Sequence, residues 1–163
     1  MFKVIITGGK DFDDMELMTS KLDKILSQAA DIEICITDRR GAEKCAKRYA
    51  KKKDYKLRIF DINWNKGRNE GARVAREMMN YADAIVIFDN DDDTYSASMI
   101  KHADYSHMQK RVVRYEKKEL WSQKPATEAQ LSVIATIRSQ NLRAPVFNGT
   151  TVAEAGLYIR KWA

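Results

Sequence analysis

Apolar positions along the chain switch between two spacings, and the switches mark out its elements. Residues 3–7 form a short β-branched run ending at Gly8-Gly9, the way a buried parallel strand enters a ligand-facing turn. Met15, Leu17, Met18, Leu22 and Ile25 then recur at helical spacing. Residues 32–37 read as a second strand. In the helix that follows, Ala42, Cys45, Ala46, Tyr49 and Ala50 mark one side, and Lys44, Lys47, Arg48, Lys51 and Lys52 the other. That is a helix packed on a sheet. Residues 55–60 supply a third strand, followed by a loop with Asp61, Asn63, Trp64 and Gly67. Ala72, Ala75, Met78 and Met79 predict a helix. Residues 84–88 are a fourth strand, emptying into Asp89-Asn90-Asp91-Asp92-Asp93-Thr94. Met99, Ile100 and Ala103 support a further helix, and residues 111–115 a fifth strand.

Strands alternating with helical runs imply an α/β, Rossmann-like parallel sheet of about five strands, with helices on both faces. This domain covers residues 1–115. Ligands in such sheets bind beyond the carboxyl ends of the strands, where strand order reverses. Gly8-Gly9, Arg40-Gly41, the Trp64 loop and the acidic loop are therefore expected to converge. Residues 116–124, with Trp121, read as a linker that docks back on the core. Residues 125–163 predict a small helix–extended–helix module. Thr127 caps its first helix, with Gln130 completing a capping box, and Leu131, Ile134 and Ile137 form the apolar stripe. Residues 145–147 are extended, Asn148-Gly149 is a turn signal, and Thr150 or Thr151 caps a last helix carrying Ala155, Leu157 and Ile159. A piece this small needs the first domain or a partner for stability.

Composition narrows the class. A chain of 163 residues suits one ordinary core with an appendage, and 44% hydrophobic content with two prolines argues against wholesale disorder. The chain opens on a strand-like run without a signal-peptide pattern, and it has no apolar run of membrane-span length. Cys35 and Cys45 read as buried thiols in a reducing compartment, so a cytoplasmic protein is expected. Two histidines, His102 and His107, are too few for a histidine-rich zinc site, and no metal site is expected. The net charge of +6 is concentrated: residues 38–58 hold ten Lys or Arg against three acids. Such a patch suits nucleic acid, another polyanion or an acidic protein; a solvated helix face is the plainer reading. The cations in question are Lys47, Arg48, Lys51 and Lys52, joined by Lys124, Arg138, Arg143 and Arg160 in the C-terminal part. Trp121, Tyr158 and Trp162 offer faces on which bases stack, worth about 1–3 kcal/mol each, or anchors for a small core.

The candidate site has competing readings at each residue. Gly8 and Gly9 allow a ligand close to the backbone, or serve a tight turn. Asp11 binds a ribose hydroxyl or an amine, or caps the helix beginning near residue 13. Arg40 is a phosphate or carboxylate contact, or a solvated side chain. Trp64 stacks a ring, or lids the core. The four aspartates of the acidic loop repel a bare phosphate. They bridge to it through magnesium, take a cationic or sugar-like group, or mark a site that is dead. No Ser–His–Asp or Cys–His set is spaced for catalysis; a buried Asp11 or Asp89 acting as a base on a ribosyl compound is the remaining route.

The segment Ile5-Ile6-Thr7-Gly8-Gly9-Lys10-Asp11-Phe12 resembles the opening motif of the YspA-type branch of the SLOG superfamily. These are Rossmann-like modules related to the DprA recombination mediator and the LOG-type phosphoribohydrolases. The resemblance extends over residues 3–115. Arg40-Gly41-Ala42-Glu43 is similar to the family's next loop, with Asp38 in place of its leading glycine and Glu43 in place of its aspartate. Trp64, Gly67, Gly71 and Glu77-Met78 fit a third motif, whose Arg-Asn pair falls on Val74-Ala75 here; Arg73 or Arg76 is a partial substitute. Phe88-Asp89-Asn90 and Thr94 resemble the last motif, but Asp93 replaces a glycine and Ala97 the glutamate of LOG-type enzymes. That replacement argues against nucleoside-monophosphate phosphoribohydrolase activity. The resemblance implies a nucleotide-like ligand at Gly8, Gly9, Asp11, Phe12, Arg40, Gly41, Trp64, Asp89 and Thr94. Pro125, Thr127, Gln130, Phe147, Gly149, Thr150, Glu154 and Ala155 resemble short modules of phage and bacterial nucleic-acid-associated proteins.

Three functions follow as expectations: binding, with or without processing, of a nucleotide-derived ligand; a non-enzymatic DNA- or RNA-binding or adaptor protein of phage type; and a homo-oligomer whose contacts complete the ligand site.

Overall fold

The computed structural model describes residues 1–116 and 125–163. Trp121, Lys124 and the docking of the linker lie outside the described residues. The chain divides into two compact units, Met1–Lys117 and Lys118–Ala163.

The first unit runs β1 (Phe2–Gly8), α1 (Met15–Ile25), β2 (Ile32–Thr37), α2 (Ala42–Lys53), β3 (Lys56–Phe60), α3 (Glu70–Tyr81), β4 (Ala84–Asp89), α4 (Thr94–Tyr105) and β5 (Gln109–Arg114). The sheet order is β3-β2-β1-β4-β5 and every pairing is parallel. β1 is central, with Val4 beside Ile34 and Ala84. Chain order runs outward from β1 to β3, then returns to β4 on the other flank, so the reversal falls between β1 and β4. Val4, Ile6, Ile34, Ile36, Val86 and Phe88 pack with α1 and α2 on one face. Ile5, Cys35, Ile85 and Ile87 pack with α3 and α4 on the other. Burial on both faces is why β1, β2 and β4 read as unbroken apolar runs. The edge strands β3 and β5 carry Lys56, Arg58, Lys110 and Arg111, charges that discourage pairing with another chain.

α3 and α4 each begin earlier than their apolar residues indicate, because their first turns are polar and anchor through caps and ion pairs. β5 spans Gln109–Arg114, leaving Tyr115 just beyond it with its N–H donated to the Asp89 carbonyl, 3.0 Å. Among the described residues no helix is long and apolar enough to cross a membrane.

The second unit contains α5 (Glu128–Gln140) and α6 (Val152–Trp162), each opened by a capping box, Thr127 with Gln130 and Thr151 with Glu154. Ile134, Ile137, Val152 and Ala155 are buried. Leu131 and Leu157 are exposed, contrary to the apolar stripes expected of them. Among the described residues two helices bury against each other, so the buried stripe is narrow, and Gln130 uses its side chain to reach the Val152 carbonyl, 3.2 Å. Asn148-Gly149 does not form the predicted turn; the turn in this stretch falls at Leu142-Arg143. Gly149 lies against the Phe147 ring, where a Cβ would come within 2.6 Å of it. Tyr158 packs on the same ring and donates to the Pro145 carbonyl, 2.6 Å.

Candidate ligand groove at the carboxyl edge of the sheet

The notch where strand order reverses is occupied by the protein's own groups. A Cβ on Gly8 would strike the Phe88 carbonyl oxygen, one on Gly9 the Tyr115 hydroxyl, and one on Gly41 the Gly9 carbonyl. Gly41 also needs its positive φ of 87°. These glycines let the β1–α1 and β2–α2 loops lie on each other, an arrangement held by the Ala42 N–H donating to the Gly9 carbonyl, 3.2 Å. Asp11 accepts from the Tyr115 hydroxyl, 2.6 Å, and from Asn90 Nδ2, 3.1 Å. It does not cap α1; Asp14 does, accepting from the Leu17 N–H. Phe12 is 2% exposed, its ring against Phe88 and Tyr115. Burial, with Asp11 beside it, pushes the Tyr115 hydroxyl well above its ordinary range.

The acidic loop is likewise satisfied from within. Arg114 pairs with buried Asp89, 2.8 Å, and also with Asp91. Asn90 Oδ1 accepts from the Asp92 and Asp93 N–H groups. Asp93 caps α4, accepting from the Ser96 N–H at 2.8 Å, so the residue that the sequence resemblance sets against a glycine has a structural task. Thr94 is the first residue of α4 and is exposed. Among the described residues no three His, Cys, Asp or Glu side chains are grouped to hold a metal. Trp64 opens a 3-10 turn after the outer strand β3, 59% exposed, with its ring over Gly71. The structure thus brings Gly8, Gly9, Asp11, Phe12, Gly41 and Asp89 together, while Trp64 stands with the outer strand.

Open volume lies next to this notch. A groove of about 430 Å³ runs from the carboxyl end of β2 through the β2–α2 loop onto α2. Arg39, Arg40, Lys44, Lys47, Arg48 and Lys51 line it, against the acids Asp38 and Glu43. Arg40, Lys47 and Lys51 make no ion pair among the described residues. Lys52 is turned elsewhere, its charge acting with Lys53 to lower the Asp23 carboxyl, after the larger effects of the Tyr49 and Lys53 hydrogen bonds. A cavity of about 470 Å³ lies at the opposite, amino end of the sheet, between α1 and β4–β5, away from the strand ends that bind ligands in such folds. Arg138, Arg143 and Arg160 are exposed in the second unit.

The inner wall of the groove is polar and buried. Glu43, 1% exposed, accepts through Oε1 from Thr7 Oγ1, 2.7 Å, and from Arg39 Nη1, 3.2 Å. The Arg39 guanidinium lies over the Tyr95 ring, 3.6 Å from its centre. Glu43 Oε2 and Thr37 Oγ1 are buried without a hydrogen-bond partner among the described residues. Burial raises the Glu43 carboxyl above its ordinary value, against the pull of Thr7 and Arg39. Burial, and then the charge of Glu43, push the Tyr95 hydroxyl up. Sequence reading missed Thr7, Thr37, Arg39, Tyr95, Arg114 and Tyr115 as members of this edge. One signal was available: Glu43 stands three residues before buried Ala46 and seven before buried Ala50, on the sheet-facing side of its helix.

Residues 2–67 match the model of the YspA, cpYpsA-related SLOG family, YAcAr. No curated protein matches the chain closely enough to add a relative. The match spans β1, the glycine loop, Arg40-Gly41 and the Trp64 turn, and it includes the end of β2 and the α2 residues that line the groove. Residues 2–67 are thus similar to the YspA, cpYpsA-related SLOG family, a likeness that points in general terms to nucleotide-related ligands.

Proposed function

We propose that the first unit binds a nucleotide or nucleotide-derived anion in the groove beside β2 and α2. The observation that carries this reading is the groove itself: six cations around about 430 Å³ at the carboxyl edge of a SLOG-like sheet. That volume falls in the range of small-molecule sites. Arg40 offers a planar fork that grips phosphate through two donors. α2 starts at Gly41 with no side-chain cap, so its first turn adds a positive dipole end to the same edge. The family's first glycines shape the loops rather than touch the ligand, which makes Gly8→Val a folding lesion and a poor binding test.

The test is calorimetric titration of the full chain with a ribonucleotide panel and ADP-ribose, with and without magnesium. Arg40→Ala should weaken binding by about tenfold, the worth of one charge-assisted contact. Absence of heat across the panel would exclude the reading.

The same row of cations favours a second reading, a nucleic-acid-binding surface on the first unit in which Lys47, Arg48 and Lys51 meet phosphates; Arg138, Arg143 and Arg160 are separate candidate contacts on the second unit. It requires affinity that falls steeply with salt.

A further inference from the structure

We propose that Glu43 and Thr37 form a closed inner subsite for the hydroxyl groups of a ribose-type sugar, whose phosphate lies on the groove's cations, with the Arg39–Tyr95 stack as its gate. The inference rests on the groove being the ligand site and adds what the ligand must carry.

Buried polar atoms are almost always paired, and each exception needs an explanation. Here two exceptions, Glu43 Oε2 and Thr37 Oγ1, belong to side chains 1% and 2% exposed, both at the carboxyl edge and both lining the groove. Thr7, a neighbouring hydroxyl, is committed to Glu43 Oε1, and the Tyr95 hydroxyl approaches Thr37 and Thr7 without a hydrogen bond of ordinary geometry to Thr37, so Glu43 Oε2 is the stronger of the two vacancies. The chemistry of the vacant partner is constrained from both sides. A carboxylate oxygen takes only a donor, so a phosphate oxygen is excluded there by repulsion. Arg39, 3.2 Å from the same carboxylate, disfavours a cationic amine. A neutral hydroxyl satisfies both, and a threonine hydroxyl can give to or take from a second one. The outer groove asks for an anion. One molecule that carries neighbouring hydroxyls and a phosphate is a sugar phosphate, the ribosyl part of a nucleotide derivative.

Arg39 explains why the subsite is closed. Its guanidinium pairs with Glu43, stacks on Tyr95 and lines the groove at once. Swinging it outward uncovers Glu43 while leaving its charge at the groove, ready for the phosphate.

The experiment titrates the full chain with ADP-ribose and with inorganic pyrophosphate, which has the diphosphate with a higher negative charge and lacks both sugar and base. The wild type should bind ADP-ribose more tightly. Glu43→Gln keeps the shape and Oε1 but turns the free acceptor into a donor. It should weaken ADP-ribose about tenfold and leave pyrophosphate within about twofold. Thr37→Val, close in shape, should act in the same direction and serves if the first variant folds poorly. Equal affinity of the wild type for both probes overturns the sugar subsite and leaves the anion groove standing. So does a Glu43→Gln protein that holds ADP-ribose as tightly as the wild type, the result expected if water fills the position. Equal weakening of both probes by the variants overturns it as well. Failure of the wild type to bind either probe removes both the subsite and the groove reading.

Discussion

Glu43 is where local stability and ligand chemistry pull apart. A carboxylate buried with one oxygen unpaired costs free energy in the empty protein, and the cost is visible as a carboxyl raised above its ordinary 4.5. A raised acid stabilises the fold only while protonated. Its contribution is complete below the unfolded value and is lost as pH rises through the folded one. Glu43→Gln removes this dependence, so the variant should gain on the wild type as pH climbs from about 4.5 and then hold a constant margin. Urea unfolding of both proteins across pH 4–8 measures it; a margin that does not change with pH would show that burial of this carboxyl is not felt. Gly41 makes the opposite case, a residue fixed by geometry alone. With φ at 87° and the Gly9 carbonyl in the way of a Cβ, Gly41→Ala should cost about 2–4 kcal/mol. At this scale the sequence showed which residues were unusual without showing their partners. Gly8, Gly9 and Gly41 stood out as glycines, but whether a ligand or another loop approached them depends on contacts between distant segments.

Elements were more legible, since their signals are local. The Thr127–Gln130 capping box follows from its three-residue spacing, and the doubly buried strands from runs of β-branched residues; at the last helix the threonine cap was legible, but its Glu154 partner was not read. What escaped was set by long-range pairing. The acidic loop looked like a damaged phosphate site because Asp93 had replaced a glycine, and nothing nearby announced that Arg114, 25 residues after Asp89, would neutralise it. In the folded chain Asp93 is a helix cap, which gives a sharp expectation. Asp93→Ala should lose about 1 kcal/mol and fray the first turn of α4, whereas Asp93→Gly should lose only a few tenths, because glycine is itself a fair N-cap. Thermal unfolding with amide exchange at Ser96 and Ala97 distinguishes them. Equal losses for the two variants would mean that the Asp93 side chain does something other than cap.

At the level of the whole molecule, the +6 charge and the shape of the groove set two ligand classes against each other, and ionic strength separates them. A nucleotide brings few charges and releases few counterions, so its affinity should vary shallowly with salt. A duplex neutralised by several lysines releases roughly one counterion per phosphate contact, and its log affinity falls with log salt at a slope near 0.9 for each. Replacing Lys47 and Lys51 together by alanine removes two side chains that have no ion pair within the described protein, so the fold should be spared. On the nucleotide reading, with Arg40 and the buried wall bearing the contact, the double variant should lose no more than about threefold for ADP-ribose at moderate salt, the screened worth of two peripheral charges. If DNA or RNA is the ligand, the same variant should flatten the salt slope by about two and weaken all sequences alike. Titrations at three salt concentrations therefore read which class the cations serve, because the slope counts phosphate contacts directly while a single affinity does not.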